Sequence, residues 1–136
     1  VSPKDTVIAF LRGFWAADEA AWEPYLADAS RFWFAPSLPY ATEGASGRDW
    51  DARAALRRII SDLFAAFAPP GLQVEVTHVM AEGEEVAVEY TARGRTVNDQ
   101  RYENFYLMRA TVQAGKIVRL VPYSDTRQLE LLLARS

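Results

Sequence analysis

Apolar residues recur along the first half of this chain at helical spacing, and along the second half at alternate positions. Val7, Phe10, Leu11 and Phe14 make one apolar stripe and predict a first helix. Ser2 caps it, Pro3 takes its first position, and Asp5 sits near the positive end of its dipole. Asp18 opens a second, shorter helix that brings in Trp22, Tyr25 and Leu26, with Pro24 tolerable only in a first turn. The segment SRFWFA reads as a strand with Arg31, Trp33 and Ala35 on one face and Phe32 and Phe34 on the other. A turn-rich loop, PSLPYATEGASG, leads into a long helix from about Asp49 to Ala68. Leu56, Ile60, Leu63 and Phe67 stripe it, and Pro69, Pro70 and Gly71 stop it.

Past Gly71 the pattern alternates almost to the end. LQVEVTHVM, EVAVEYTARG, RYENFYLMRATV and KIVRLVPYS predict four strands separated by the turns AEGE, TVND and QAG. Strands so close in sequence pair most easily antiparallel. DTRQLELLLA follows as a short helix or a tail. The order predicts an α+β domain with helices on one face of a curved antiparallel sheet. In the third of these strands Tyr102, Asn104, Tyr106 and Met108 line one face, while Phe105 and Leu107 interrupt the charges of the other. A strand with large apolar residues on both faces is covered on both. A second copy of the chain is expected over the face the helices leave open.

With 136 residues, half of them apolar, the chain has the size of one domain with a real core. A net charge of −3 argues against a nucleic-acid partner, which demands clustered excess Lys and Arg. There is no cysteine, so disulfides, thiol nucleophiles and zinc knuckles are excluded, and a cytoplasmic setting fits. No apolar run approaches the roughly 20 residues of a membrane span. The start, VSPKDTVIAF, does not have the layout of a secretory leader.

Three motifs and their order carry a family resemblance: SLPYATEGASGRDW before the long helix, ARGRT with QRYENFY across the third hairpin, and GKIVRLVPYSDT near the end. The whole chain, 1–136, resembles the SnoaL-like branch of the nuclear transport factor 2 superfamily. The resemblance implies a cone-shaped fold with three helices on a curved antiparallel or mixed sheet, an apolar pocket inside, frequent dimers and no cofactor. The superfamily includes ketosteroid isomerases, epoxide hydrolases and polyketide cyclases, so fold leaves function open. Laid on this chain, the ketosteroid isomerase base falls at Ala35 and its tyrosine at Phe10. The epoxide hydrolase Arg-x-Asp pair falls on Glu89-Tyr90-Thr91, and its last aspartate on Pro122. Many SnoaL-like sequences keep a carboxylate where Pro122 stands, so any chemistry here needs other residues.

His78, the one histidine, shares by alternation the face of Val74, Val76 and Met80, the expected inner face. There it is either a proton shuttle or a core-edge imidazole bonded to a neighbour. Glu89 depends on register. A two-residue Glu82-Gly83 turn would bring it to the His78 face as a carboxylate–imidazole site, whereas a three-residue turn would turn it outward beside Thr77. Asn104 and Tyr106 share an inner face, where Tyr106 can donate to a ligand carbonyl with Asn104 orienting it, or the two form a structural network. Phe14, Trp15, Tyr25, Trp33, Leu63, Phe67 and Pro122 are expected to line the pocket with them. Asp125 is better suited to capping the last helix, and scattered carboxylates with one histidine make no metal site. The expected function is a pocket for an apolar, ring-containing compound of steroid, terpenoid or polyketide size. It is either a cofactor-free isomerase, cyclase or hydrolase, or a binding protein without catalysis. A dimerisation module with an incidental cavity is the remaining reading.

Overall fold

In the computed structural model, which describes residues 1–36, 38, 40 and 49–135 (the last by its backbone), four helices pack on a six-stranded sheet. Helix α1, Pro3–Trp15, begins as the sequence predicts: the Ser2 hydroxyl accepts from the Asp5 amide and Pro3 takes the first position. Its stripe of Val7, Phe10, Leu11 and Phe14 is buried against the sheet. The one-turn helix α2, Glu19–Trp22, lies so close to α1 that a Cβ on Gly13 would meet the Ala21 backbone at 2.7 Å. That approach seats Trp22, fully buried, edge-on to Phe10.

Strand β1, Leu26–Trp33, is followed by the three-residue strand β2, Asp49–Asp51, which pairs with it antiparallel. The expected long helix is therefore shorter at both ends. Helix α3 runs Ala52–Asp62, because Asp51 accepts from the Ala54 amide and caps it. Beyond it the chain tightens into a 3₁₀ turn, Phe64–Ala66. The loop predicted as PSLPYATEGASG falls mostly outside the described residues.

The four strands of the second half lie close to their predicted bounds: β3 Gln73–Glu82, β4 Glu85–Arg95, β5 Arg101–Gln113 and β6 Lys116–Ser124. Gly83 adopts φ +58°, as the first central residue of a two-residue hairpin requires, and Glu82 pairs with Glu85. The sheet order is β2-β1-β6-β5-β4-β3, with β1 parallel to β6 and every other pair antiparallel. The sheet is α+β and mixed, and it is not closed. Helix α4, Thr126–Arg135, follows β6 directly, with Asp125 accepting from the Arg127 amide at its start. No helix among the described residues is long and apolar enough to cross a membrane.

Candidate functional site

Strand alternation sorts the sheet into two faces. On the inner face Val86, Val88, Tyr90 and Ala92 of β4 lie beside Met108 and Tyr106 of β5, and Pro122 and Ser124 of β6 follow. These strands, α1, α3 and α4 leave a cavity of about 80 Å³ inside the core. Phe14 and Trp15 bring α1 to its wall, Phe32 brings β1, and Phe34 follows just past that strand. Leu63 joins from the end of α3, and Leu129 and Leu133 of α4 close the side toward the C-terminus. Among the described lining residues there is no carboxylate, imidazole, ammonium or guanidinium; the polar side-chain groups belong to Tyr40, Tyr90 and Tyr106, to Ser124 and to the Trp15 indole N–H.

Of the residues predicted for the pocket, Phe14, Trp15, Leu63, Tyr106 and Pro122 line this cavity. Asn104 is fully buried one layer behind, and Phe67 packs edge-on against Tyr102 with ring centres 5.4 Å apart. Tyr25 sits in the turn after α2, away from the lining. Trp33 points to the opposite face of the sheet, where it meets Tyr123 at 5.5 Å. Tyr90, Phe32, Phe34 and the α4 leucines line the cavity without having been singled out. The alternation of Val86, Val88 and Tyr90 held the signal for Tyr90, and the pairing of Phe32 with Phe34 held it for β1.

His78 corrects the sequence reading. A β-bulge between Val76 and His78 inserts Thr77, so Val79 turns toward the core and His78 faces solvent. Strict alternation fails across such a bulge. Glu89 is exposed too, and it lies directly opposite His78, with its carboxylate accepting from the Thr77 hydroxyl at 2.9 Å. The turn is Gly83–Glu84, one residue later than either register considered. The carboxylate and the imidazole do oppose each other, but on the outer face, away from the cavity.

Behind the inner face lies a polar network. Asn104 Nδ2 donates to the Tyr102 hydroxyl at 2.9 Å and to the Asp125 carbonyl at 3.2 Å. Its Oδ1 accepts from the Phe105 and Asp125 amides at 2.8 and 3.2 Å. The Tyr102 and Tyr106 hydroxyls share a hydrogen bond of 2.5 Å. Tyr106 stacks on Tyr90 with ring centres 5.0 Å apart and planes within 5°, and Tyr90 meets Trp15 at 4.9 Å.

Burial pushes all three phenols upward: Tyr90 and Tyr106 well above the ordinary tyrosine value, and Tyr102 in the same direction. In the unfolded chain they ionise near pH 10. Their contribution to stability is therefore whole below that pH and is lost as the pH climbs toward the folded values. Each phenol costs up to about 1.4 kcal/mol per pH unit inside that window. In an alkaline titration followed by tyrosinate absorbance and near-ultraviolet circular dichroism, these three should ionise only as the fold is lost. Ionisation of all six tyrosines with the dichroism intact would contradict their burial.

Comparison with known proteins agrees with the fold. A SnoaL-like domain model matches residues 7–120. The chain belongs to the SnoaL-like domain family. No curated protein matches it by sequence. Among solved structures, IdmH, a candidate polyketide cyclase from Streptomyces antibioticus, superposes with a TM-score of 0.75 at 21% identity, over 98% of this chain and 99% of that one. TerC, co-crystallised with polyporic acid, reaches 0.78 at 15% identity over 98% and 99%. An NTF2-like protein of unknown function from Burkholderia pseudomallei reaches 0.75 at 20% identity over 98% of each. At these identities the SnoaL-like chain shares their fold.

Proposed function

We propose that this SnoaL-like chain is a small-molecule pocket protein that takes an apolar, ring-containing compound and anchors it on Tyr106. The observation that carries the reading is a cavity apolar on nearly every side, with the Tyr106 phenol at its wall tied to Tyr102 behind it. Aromatic and aliphatic walls with a few convergent polar groups are the usual make-up of a ligand site. The polyporic acid in the TerC crystal and the polyketide cyclase description of IdmH support a small-molecule ligand.

The free space is about 80 Å³, roughly half of the ~150 Å³ apolar cavity that holds benzene. A ligand of steroid or polyketide size therefore extends out of this space or displaces part of its wall. Leu129 and Leu133 on α4 are the wall to displace, because that helix is held by side-chain packing and carries no sheet pairing. The binding reading is favoured over the isomerase, cyclase or hydrolase reading. His78 and Glu89, the acid–base pair proposed for catalysis, face away from this space, and the described lining offers phenols without a base.

The partner reading rests on the outer face of the sheet. Phe105 is 60% exposed, Tyr123 49% and Leu107 37%, and Tyr123 pairs directly with Leu107 across β6 and β5. With Trp33 they form a continuous apolar patch that a second copy of the chain would cover. One experiment addresses both parts: native mass spectrometry at micromolar concentration with a panel of ring compounds. A dimer mass and a retained ligand are expected. Leu107→Arg should return the protein to monomers while keeping the ligand. A monomeric parent would overturn the dimer, and failure to retain any compound would overturn the pocket.

A further inference from the structure

Resting on the pocket reading, we propose that Asn104 and Tyr102 form a one-way relay that fixes Tyr106 as a hydrogen-bond donor. The ligand it is built to hold is then an uncharged one that presents a carbonyl oxygen.

The direction follows from counting donors and acceptors. The orientation of the Asn104 amide is set by its neighbours. Its oxygen faces two backbone N–H groups, of Phe105 and Asp125, and its nitrogen faces the Asp125 carbonyl and the Tyr102 hydroxyl. A flipped amide would set N–H against N–H twice. Asn104 therefore donates to Tyr102. The Tyr102 oxygen is then an acceptor, and its own proton must go elsewhere.

Tyr102 is buried and takes no part in lining the cavity; its hydroxyl meets Asn104 and Tyr106. If Tyr106 donated to Tyr102, the Tyr102 proton would be buried without an acceptor, an arrangement proteins avoid. If Tyr102 donates to Tyr106, every proton of the network is placed except one. The remaining proton belongs to Tyr106, which does line the cavity. Stacking on Tyr90 holds that ring in place, so the donor has a fixed aim.

The ligand chemistry follows. A fixed O–H donor in an apolar wall selects a molecule with a hydrogen-bond acceptor at that point. Each link of the relay polarises the next, which strengthens the final donor toward a carbonyl oxygen. The phenol stays protonated because burial raises its pKa, so it remains a donor across the ordinary pH range. No described lining residue carries a positive charge, so an anionic ligand would lose its hydration without compensation.

The test uses single-ring probes, which ask the least of the cavity: acetophenone, its hydrocarbon analogue α-methylstyrene, and benzoate. Affinities are read by protein NMR titration, and the acetophenone carbonyl stretch by infrared spectroscopy. Acetophenone should bind about 10-fold more tightly than α-methylstyrene, with its carbonyl band shifted to lower frequency, and benzoate should bind more weakly than both. Tyr106→Phe should remove the ketone preference, bringing acetophenone and α-methylstyrene to equal affinity. Tyr102→Phe should reduce the preference in part and move the carbonyl band back toward its free position, which a merely structural role for Tyr102 would not do. Equal affinity for acetophenone and α-methylstyrene would overturn the donor, although the pocket reading would stand. Benzoate binding as tightly as acetophenone would overturn the uncharged ligand. If no probe binds, the pocket reading falls and the inference falls with it. The parent-protein comparisons decide the matter even if a variant does not fold.

Discussion

Asn104→Leu is expected to destabilise the fold by about 2–5 kcal/mol, at nearly unchanged side-chain volume. Leucine fills the space but returns none of the four hydrogen bonds. The Phe105 amide, both backbone groups of Asp125 and the Tyr102 hydroxyl all lose a partner at once. Asn104 is fully buried, so water does not replace these bonds without opening the structure. The loss also has a direction. Asp125 begins α4, so freeing its backbone should loosen that helix more than the meander of β3, β4 and β5. Urea denaturation gives the overall change as a shift of midpoint, and amide exchange gives its distribution. A loss below about 1 kcal/mol, or exchange that rises equally everywhere, would contradict this role for Asn104.

Pro122→Asp is expected to produce a protein whose stability depends on pH in a way the parent's does not. Pro122 lines the apolar cavity opposite Met108, and no described cation faces it there. Desolvation should lift the folded carboxyl above the ~3.9 of an unfolded aspartate. With the folded value raised, the variant carries no ionisation penalty below about pH 4. Stability then falls as the pH rises from there toward the folded value. A lift of about 2 units amounts to about 2.7 kcal/mol, lost between roughly pH 4 and pH 6. Pro122→Asn isolates the effect of losing the ring from that of adding the charge. Denaturation midpoints at pH 4 and pH 7 for both variants provide the measurement. If Asp and Asn lose equally at both pH values, residue 122 does not look into apolar space. The comparison also shows what proline does at this position. It keeps the wall dry, where a carboxylate would need a reaction to justify its cost.

The strands were legible because their inner faces are consistently apolar while their outer faces mix charge with scattered hydrophobes. Val86, Val88 and Tyr90 on β4, and Tyr102 through Val112 on β5, leave little freedom of register. Strand β2 was not legible. Three residues, DWD, have no periodicity to show, and they are extended because they pair with Arg31 to Trp33 far away in sequence. The same contact shortened the expected long helix, since Asp49 is in the sheet and Asp51 is the cap. Within the site, alternation placed Tyr106, Asn104 and Pro122 on the inner face and failed for His78. A bulge is a one-residue event, and nothing in VEVTHVM distinguishes it from a continuous strand. The network behind Tyr106 was half legible. Its residue types sit at alternate positions of β5, but the clamp on the Asp125 backbone depends on where β6 ends in space.

The parallel contact between β1 and β6 has a consequence for how the molecule is made. Phe32 pairs with Leu120, close to ninety positions later, whereas β3, β4 and β5 each pair with the next segment to appear. The meander can assemble as it is synthesised. The β1–β2 ribbon must wait, with Phe32 and Phe34 uncovered, until the ninth decade of residues after it supplies an edge. Such distant pairings slow folding and lengthen the exposure of apolar surface. The interval before β6 arrives is thus when this chain is most open to aggregation, and a ribosome stalled before Lys116 would hold it there.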